Sequence, residues 1–150
     1  MNDRIDFRFL TAADPLWREV IAYARGCSWR AGPSLASVME RGDWTDWEGV
    51  IVALCGETIA GYCTVAKTDC IPNVPYSPYV GYVFVGEDFR GHRLSERMID
   101  FACAYLKTLG FTRVYLVSDH ENLYEKYGFS SIDRRPAPWG SIEKIYMRKL

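Results

Sequence analysis

The chain has 150 residues, 49% of them hydrophobic and 25% charged, ordinary proportions for a globular domain. A formal net charge of -1 supplies no field that would draw in a nucleic acid or another polyanion, so any basic feature must be local. The five cysteines (Cys27, Cys55, Cys63, Cys70, Cys103) include no CxxC pair, which argues against a disulfide framework and a zinc site.

Most of these cysteines sit inside apolar patterns and read as small buried hydrophobes. The N-terminus MNDRIDFRFL is charged and lacks the apolar core of a signal peptide. No apolar run approaches the roughly 20 residues of a membrane helix. The expectation is one domain over residues 1–150, cytoplasmic, with no membrane, nucleic-acid or metal partner.

Ile5, Phe7 and Phe9 alternate with Asp6 and Arg8, which predicts a first strand. Asp14-Pro15 reads as a helix start, with Asp14 as N-cap. Leu16, Val20, Ile21 and Ala24 follow at helical spacing up to Gly26. A second helix is predicted from Pro33 to Arg41, ended by Gly42. An acidic and aromatic loop, Asp43 to Glu48, comes next.

Val50 to Leu54 reads as a buried strand, Gly56-Glu57 as a turn, and Ile59 to Val65 as the returning arm of a hairpin. Asp69 to Pro78, with three prolines, is a loop, and Tyr79 to Val85 is the next strand. Leu94, Met98, Phe101, Ala102, Tyr105 and Leu109 mark a helix stopped at Gly110. Val114 to Val117 is a short strand, Glu121 to Tyr127 a short helix stopped by Gly128, and Ile142 to Leu150 a final strand. The order describes a mixed α/β (α+β) domain.

The chemistry concentrates between Tyr82 and Met98, YVFVGEDFRGHRLSERM. A strand runs into a turn, and the turn into a helix start carrying Arg90, His92 and Arg93. Free amides at a helix N-terminus form an anion site, and phosphate is the expected anion. Neither a P-loop nor a GxGxxG turn is present. By itself the segment reads equally as a phosphate cradle or as a turn with solvated arginines.

Arg90-Gly91-His92-Arg93-Leu94-Ser95 resembles the Q/R-x-x-G-x-G/A motif that the GNAT superfamily of acyl-coenzyme A transferases carries after its fourth strand. Arg90 matches the first position. Arg93 stands where that family prefers Gly, and Ser95 where it prefers Gly or Ala. Downstream, Leu123-Tyr124-Glu125-Lys126-Tyr127-Gly128-Phe129 is similar to the family's LYEKLGF signature. Both motifs in order, a helix and a strand apart, make the resemblance specific.

The resemblance implies a mixed, mostly antiparallel sheet with helices on both faces and a V-shaped split between strands four and five. It implies acetyl-CoA as acyl donor, with pantetheine along Val83, Phe84 and Val85 and the pyrophosphate on Arg90, Gly91, His92, Arg93, Leu94 and Ser95. The implied reaction is direct attack by the amine of a small molecule in a ternary complex. A protein N-terminal or lysine acetyltransferase and a non-catalytic acyl-CoA-binding domain remain alternatives, and a homodimer stays open. An Arg93 side chain either tilts the turn or adds a charge-assisted contact, and the intact flanking pattern favours the contact.

Tyr124 matches the family tyrosine proposed as general acid toward the leaving thiolate, which a phenol of pKa about 10 can serve. Tyr127 reads as a core or cofactor-packing aromatic, and an amide near Val85 as the oxyanion donor. A base is harder to find, because the strand from Pro78 to Val85 has no acid and Glu87 and Asp88 lie on the turn. Asp119, His120 and Glu121 follow the fifth strand. His120 or Glu121 is the expected base, beside a water relay or simple N-capping by Asp119.

For the acceptor, Glu40, Asp43, Asp46 and Glu48 surround Trp44 and Trp47. That grouping suits a cationic amine, or is a solvated loop with its tryptophans in the core. Pro75 to Tyr79 and Trp139-Gly140 are further candidate walls.

Overall fold

The computed structural model describes residues 4–150, so the first three residues of the charged N-terminus lie outside the described residues. Its strands are β1 (Asp6–Leu10), β2 (Gly49–Cys55), β3 (Thr58–Ala66), β4 (Tyr79–Val85), β5 (Arg113–Ser118), β6 (Ser130–Pro136) and β7 (Ile142–Lys149). The helices are α1 (Leu16–Gly26), α2 (Gly32–Arg41) and α3 (Leu94–Thr108). All strands join one seven-stranded sheet in the order β1-β2-β3-β4-β5-β7-β6. The β4–β5 pair is parallel and the other neighbours are antiparallel.

The run Val50-Ile51-Val52-Ala53-Leu54 explains how this sheet sits. Successive side chains point to opposite faces, and here both faces are covered, so apolar residues need not alternate with polar ones. Val50, Val52 and Leu54 pack with Trp17, Val20, Leu35 and Met39 under α1 and α2. Ile51 and Ala53 pack with Met98, Ile99, Ala102 and Leu106 under α3. Helices therefore cover both faces, as expected. Asp14 caps the start of α1, its Oδ1 accepting the Leu16 N–H at 2.9 Å. Gly42 ends α2 at φ +71°.

Two expectations change. Residues 121–127 do not form a helix: Asn122 takes φ +62° and only a 3-10 turn, Tyr124–Tyr127, follows. Strand β6 was not expected. It is a sheet edge, mostly exposed, and its lone large apolar residue, Ile132, is itself exposed. With neither face buried it has no period to read.

The cysteines are free. Cys63 and Cys103 are buried, whereas Cys27, Cys55 and Cys70 are only partly so. Among the described residues no helix is long and apolar enough to cross a membrane.

Leu106 is fully buried on α3 while Leu109, just beyond it, is half-exposed. Leu106→Ala should lower the unfolding free energy by about 3 kcal/mol and Leu109→Ala by less than about 0.5 kcal/mol in urea denaturation.

Candidate active site

The site begins where the sheet comes apart. Strands β4 and β5 pair only at Tyr79 and Tyr115, where the Tyr115 N–H donates to the Pro78 carbonyl at 2.9 Å. Beyond that point they diverge, and the later part of β4 loses its neighbour on that side. The split between strands four and five is thus present.

On its other side β4 carries a bulge. Thr64 pairs with Gly81 and Tyr62 with Phe84, so Tyr82 and Val83 together face one residue of β3. Tyr82 takes φ +47°, a costly conformation for a bulky residue. The extra residue drops out of the ladder and leaves backbone polar groups unpaired.

A cavity of about 460 Å³ fills the split. Gly81, Tyr82 and Val83 line one wall and Leu116, Val117 and Ser118 the other. Tyr124 reaches it from the 3-10 turn, 7% exposed. Its ring meets those of Tyr127, Phe129 and Tyr146 at 5.9, 6.3 and 5.9 Å between centroids. Among the described residues no group accepts a hydrogen bond from its hydroxyl. Burial pushes this phenol up to about 12. Tyr127 packs beside it and spends its hydroxyl on Ser95 Oγ at 2.8 Å.

The expected base residues separate. His120 lines the cavity, its ring 6.3 Å from that of Tyr124. Asp119 lines it too, and caps no helix. Glu121 points elsewhere: it is 75% exposed and pairs with Lys144 at 3.4 Å, outside the cavity lining.

Two acids not anticipated for the site replace it. Asp69, in the loop before β4, and Glu143, on β7, both line the cavity. Burial raises the Asp69 carboxyl above its ordinary value, against the opposing effect of the Cys70 N–H it accepts at 2.6 Å. The same surroundings push the Cys70 thiol up to about 12. Neither acid has a motif to mark it, and Gly81 is the one sequence clue: a Cβ there would stand 2.6 Å from Asp69 Oδ2.

The acidic-aromatic loop is largely engaged in the fold, although Asp43, Trp44 and Glu48 also line a smaller cavity with Asp69. Glu40 pairs with Arg25 and Asp43 with Arg41. Glu48 accepts the backbone N–H groups of Thr45 and Lys67. Trp47 packs on Phe111, and the Trp44 indole donates to the Val38 carbonyl. Trp139 does line the cavity, its indole donating to Ser141 Oγ at 2.6 Å. Tyr79 lies buried beneath, and Tyr76 donates to Asp133.

A second cavity, about 310 Å³, lies on the turn between β4 and α3. Val85, Arg90, Gly91, Arg93, Leu94 and Ser95 line it with Phe89 and Tyr127. No carboxylate does. Helix α3 opens with no side-chain cap, and its first intrahelical bond runs from the Arg97 N–H to the Arg93 carbonyl. The amides before Arg97 have no helical acceptor and suit an anion.

His92 is exposed and outside this lining. The Phe84 side chain points to the α1–α2 face, stacked on Trp29 at 5.8 Å, so only its backbone faces the split. Arg90 folds back, its Nε donating to the Val85 carbonyl at 3.0 Å.

The residues match the Acetyltransferase (GNAT) family model over 27–129. The chain belongs to the GNAT acetyltransferase family. Among solved structures it is similar to a GNAT family acetyltransferase from Elizabethkingia anophelis with acetyl-CoA bound, with a TM-score of 0.71, 14% identity, and 99% of this chain and 100% of that one covered. It is also similar to an aminoglycoside 6'-N-acetyltransferase complexed with coenzyme A, at TM-score 0.70, 14% identity and 96% of both chains. An aminoglycoside 6'-acetyltransferase type Ii gives TM-score 0.72, 17% identity and 96% of both chains. A comparison with curated proteins finds no match. At these identities the structural likenesses speak to the fold.

Arg93 departs from the family pattern, and its geometry shows how the turn accepts it. It sits at φ +58°, the left-handed region that costs most side chains about 1–2 kcal/mol. Its Nε donates to Glu96 Oε1 at 2.6 Å, a mostly exposed pair that offsets little. Arg93→Gly should leave stability unchanged or raise it by up to about 1 kcal/mol, and Arg93→Val should lower it by about 1–2 kcal/mol, in chemical denaturation.

Proposed function

We propose that this protein moves an acetyl group from acetyl-CoA to the amine of a small molecule by direct attack in a ternary complex. The observation that carries the reading is Tyr124: a buried phenol, its hydroxyl unengaged, inside the cavity between the diverging strands. A cavity of about 460 Å³ is the size of a small-molecule site. Two of the similar structures are aminoglycoside acetyltransferases, which supports a small-molecule acceptor.

Acetyl-CoA supplies the activated acyl group and a thiolate leaving group. The chain's own residues do the rest. The open amides of α3, with Arg93 beside them, suit the pyrophosphate. The free edge of β4 suits the amide groups of the pantetheine arm, and the backbone released at the Tyr82–Val83 bulge suits the thioester oxygen.

Tyr124 holds the proton for the leaving sulfur. A phenol raised to about 12 is a weak acid toward a thiol in water, whose pKa is about 8.5. Loss of water also raises the proton affinity of a thiolate formed in the same cavity, which narrows the mismatch.

The test is a panel of amines assayed for thiol release. Tyr124→Phe should lower kcat by about 100-fold while the Kd for acetyl-CoA stays within about threefold. Unchanged turnover would remove Tyr124 from the acid role. No transfer to any amine, with acetyl-CoA still bound, would leave a binding domain.

The pH dependence follows from the sign of the shift. Tyr124 works as the protonated phenol, so its contribution is lost only as pH rises through about 12. The kcat profile should therefore show no alkaline fall from this group up to about pH 10.

A further inference from the structure

Resting on that reading, we propose that Asp69 is a catalytic residue whose carboxylate receives the ammonium of the acceptor and takes one of its protons. Strand β4 carries no acid of its own. The loop before it delivers one: Asp69 Oδ2 and Thr64 Oγ1 converge above Gly81, where a Cβ would stand 2.6 and 3.3 Å from them. The strand leaves out a side chain at the place where the carboxylate lies against it.

The surroundings of Asp69 call for a cation. Cys70 faces it from its own loop, Tyr79 and Tyr82 from β4, and Glu143, 8% exposed, from β7. Asp119 and His120 stand across the split. On its other side Asp69 borders a smaller cavity of about 180 Å³ with Asp43 and Glu48. No Lys or Arg lines either cavity.

A desolvated carboxylate with no cation beside it is costly, and an arriving ammonium supplies the missing charge. Tyr79 adds an independent sign. Among the described residues its hydroxyl is buried without a hydrogen-bond partner, behind the cavity wall and in the field of the Asp69 charge. Among the described residues the Glu143 carboxylate accepts one hydrogen bond, from the Ser141 hydroxyl at 2.9 Å.

The step balances as follows. The ammonium gives one proton to Asp69 and gains a lone pair. The C–N bond forms and the C–S bond breaks. Tyr124 gives its proton to the sulfur, and the second nitrogen proton restores the phenol. The proton on Asp69 leaves to solvent. The cavity's charge further selects amines without a neighbouring carboxylate.

The test is the pH profile of kcat/KM with acetyl-CoA and tyramine, with glycine as the acidic counterpart, over about pH 5 to 9. Because burial raises the Asp69 carboxyl, activity should fall on acidification through a limb above the ordinary carboxylate value of about 4. Asp69→Asn should lower kcat/KM for tyramine by about 100-fold and abolish that limb, with Kd for acetyl-CoA unchanged. Its melting temperature at neutral pH should equal or exceed that of the wild type, since the variant removes a desolvated charge.

Gly81→Ala is the second variant. The crowded atom is the end of a side chain, so the fold survives while the carboxyl is displaced. It should lower kcat/KM without touching Asp69 chemically. Asp69→Asn with near wild-type kcat/KM and the same limb would overturn the role of Asp69 alone, as would a preference for glycine. Should that variant fail to fold, a wild-type profile without the raised limb, or a Gly81→Ala enzyme of full activity, would overturn it. A wild type that acetylates no amine would overturn the acetyltransfer reading and this role with it.

Discussion

The organising constraint is a single broken pairing. Strands β4 and β5 run parallel, touch at Tyr79 and Tyr115, and then part. Parallel neighbours buried on both faces normally stay zipped, because unpaired backbone groups are costly in a dry interior. Here that cost is accepted along the latter half of β4, and the bulge at Tyr82–Val83 adds to it. What results is a wedge of unspent backbone bonding that runs toward the open N-terminus of α3. The proposed donor site occupies that wedge, and Tyr124 lies in the same gap.

Burial then sets the chemistry. Tyr124, Cys70 and Tyr79 are all pushed up to about 12, and Asp69 is raised as well, each chiefly by loss of water. A site that penalises every charge favours a reaction in which protons travel with the bonds being made and broken. No Lys or Arg stands beside the acids in the cavity lining, and His120 is its one basic side chain. In this account the acceptor brings the cation, so binding and deprotonation draw on the same electrostatic deficit.

Much of this was legible in the sequence, for physical reasons. Strands buried on both faces show as apolar runs, and helices α1 to α3 show as stripes that end at Gly26, Gly42 and Gly110. The turn at Arg90 to Ser95 and the Tyr124 segment are each contiguous in the chain, so a linear pattern can report them. Strand β6 could not be seen, because an edge with both faces exposed leaves no periodicity. Asp69 and Glu143 could not be seen either. They are far apart in the chain, and only the folded sheet, with the loop before β4 and the β5–β7 pairing, brings them to one cavity. The acidic loop around Trp44 and Trp47 left two readings open, because composition does not reveal which partners a carboxylate finds. Glu48 spends itself on backbone amides and Glu40 on Arg25.

The most direct measurement is a crystal structure of the protein with acetyl-CoA bound. The account predicts pyrophosphate on the amides between Arg90 and Ser95, the thioester in the split between β4 and β5, and the sulfur within hydrogen-bond reach of the Tyr124 hydroxyl. A cofactor seated elsewhere, or a sulfur that Tyr124 cannot reach, would contradict it.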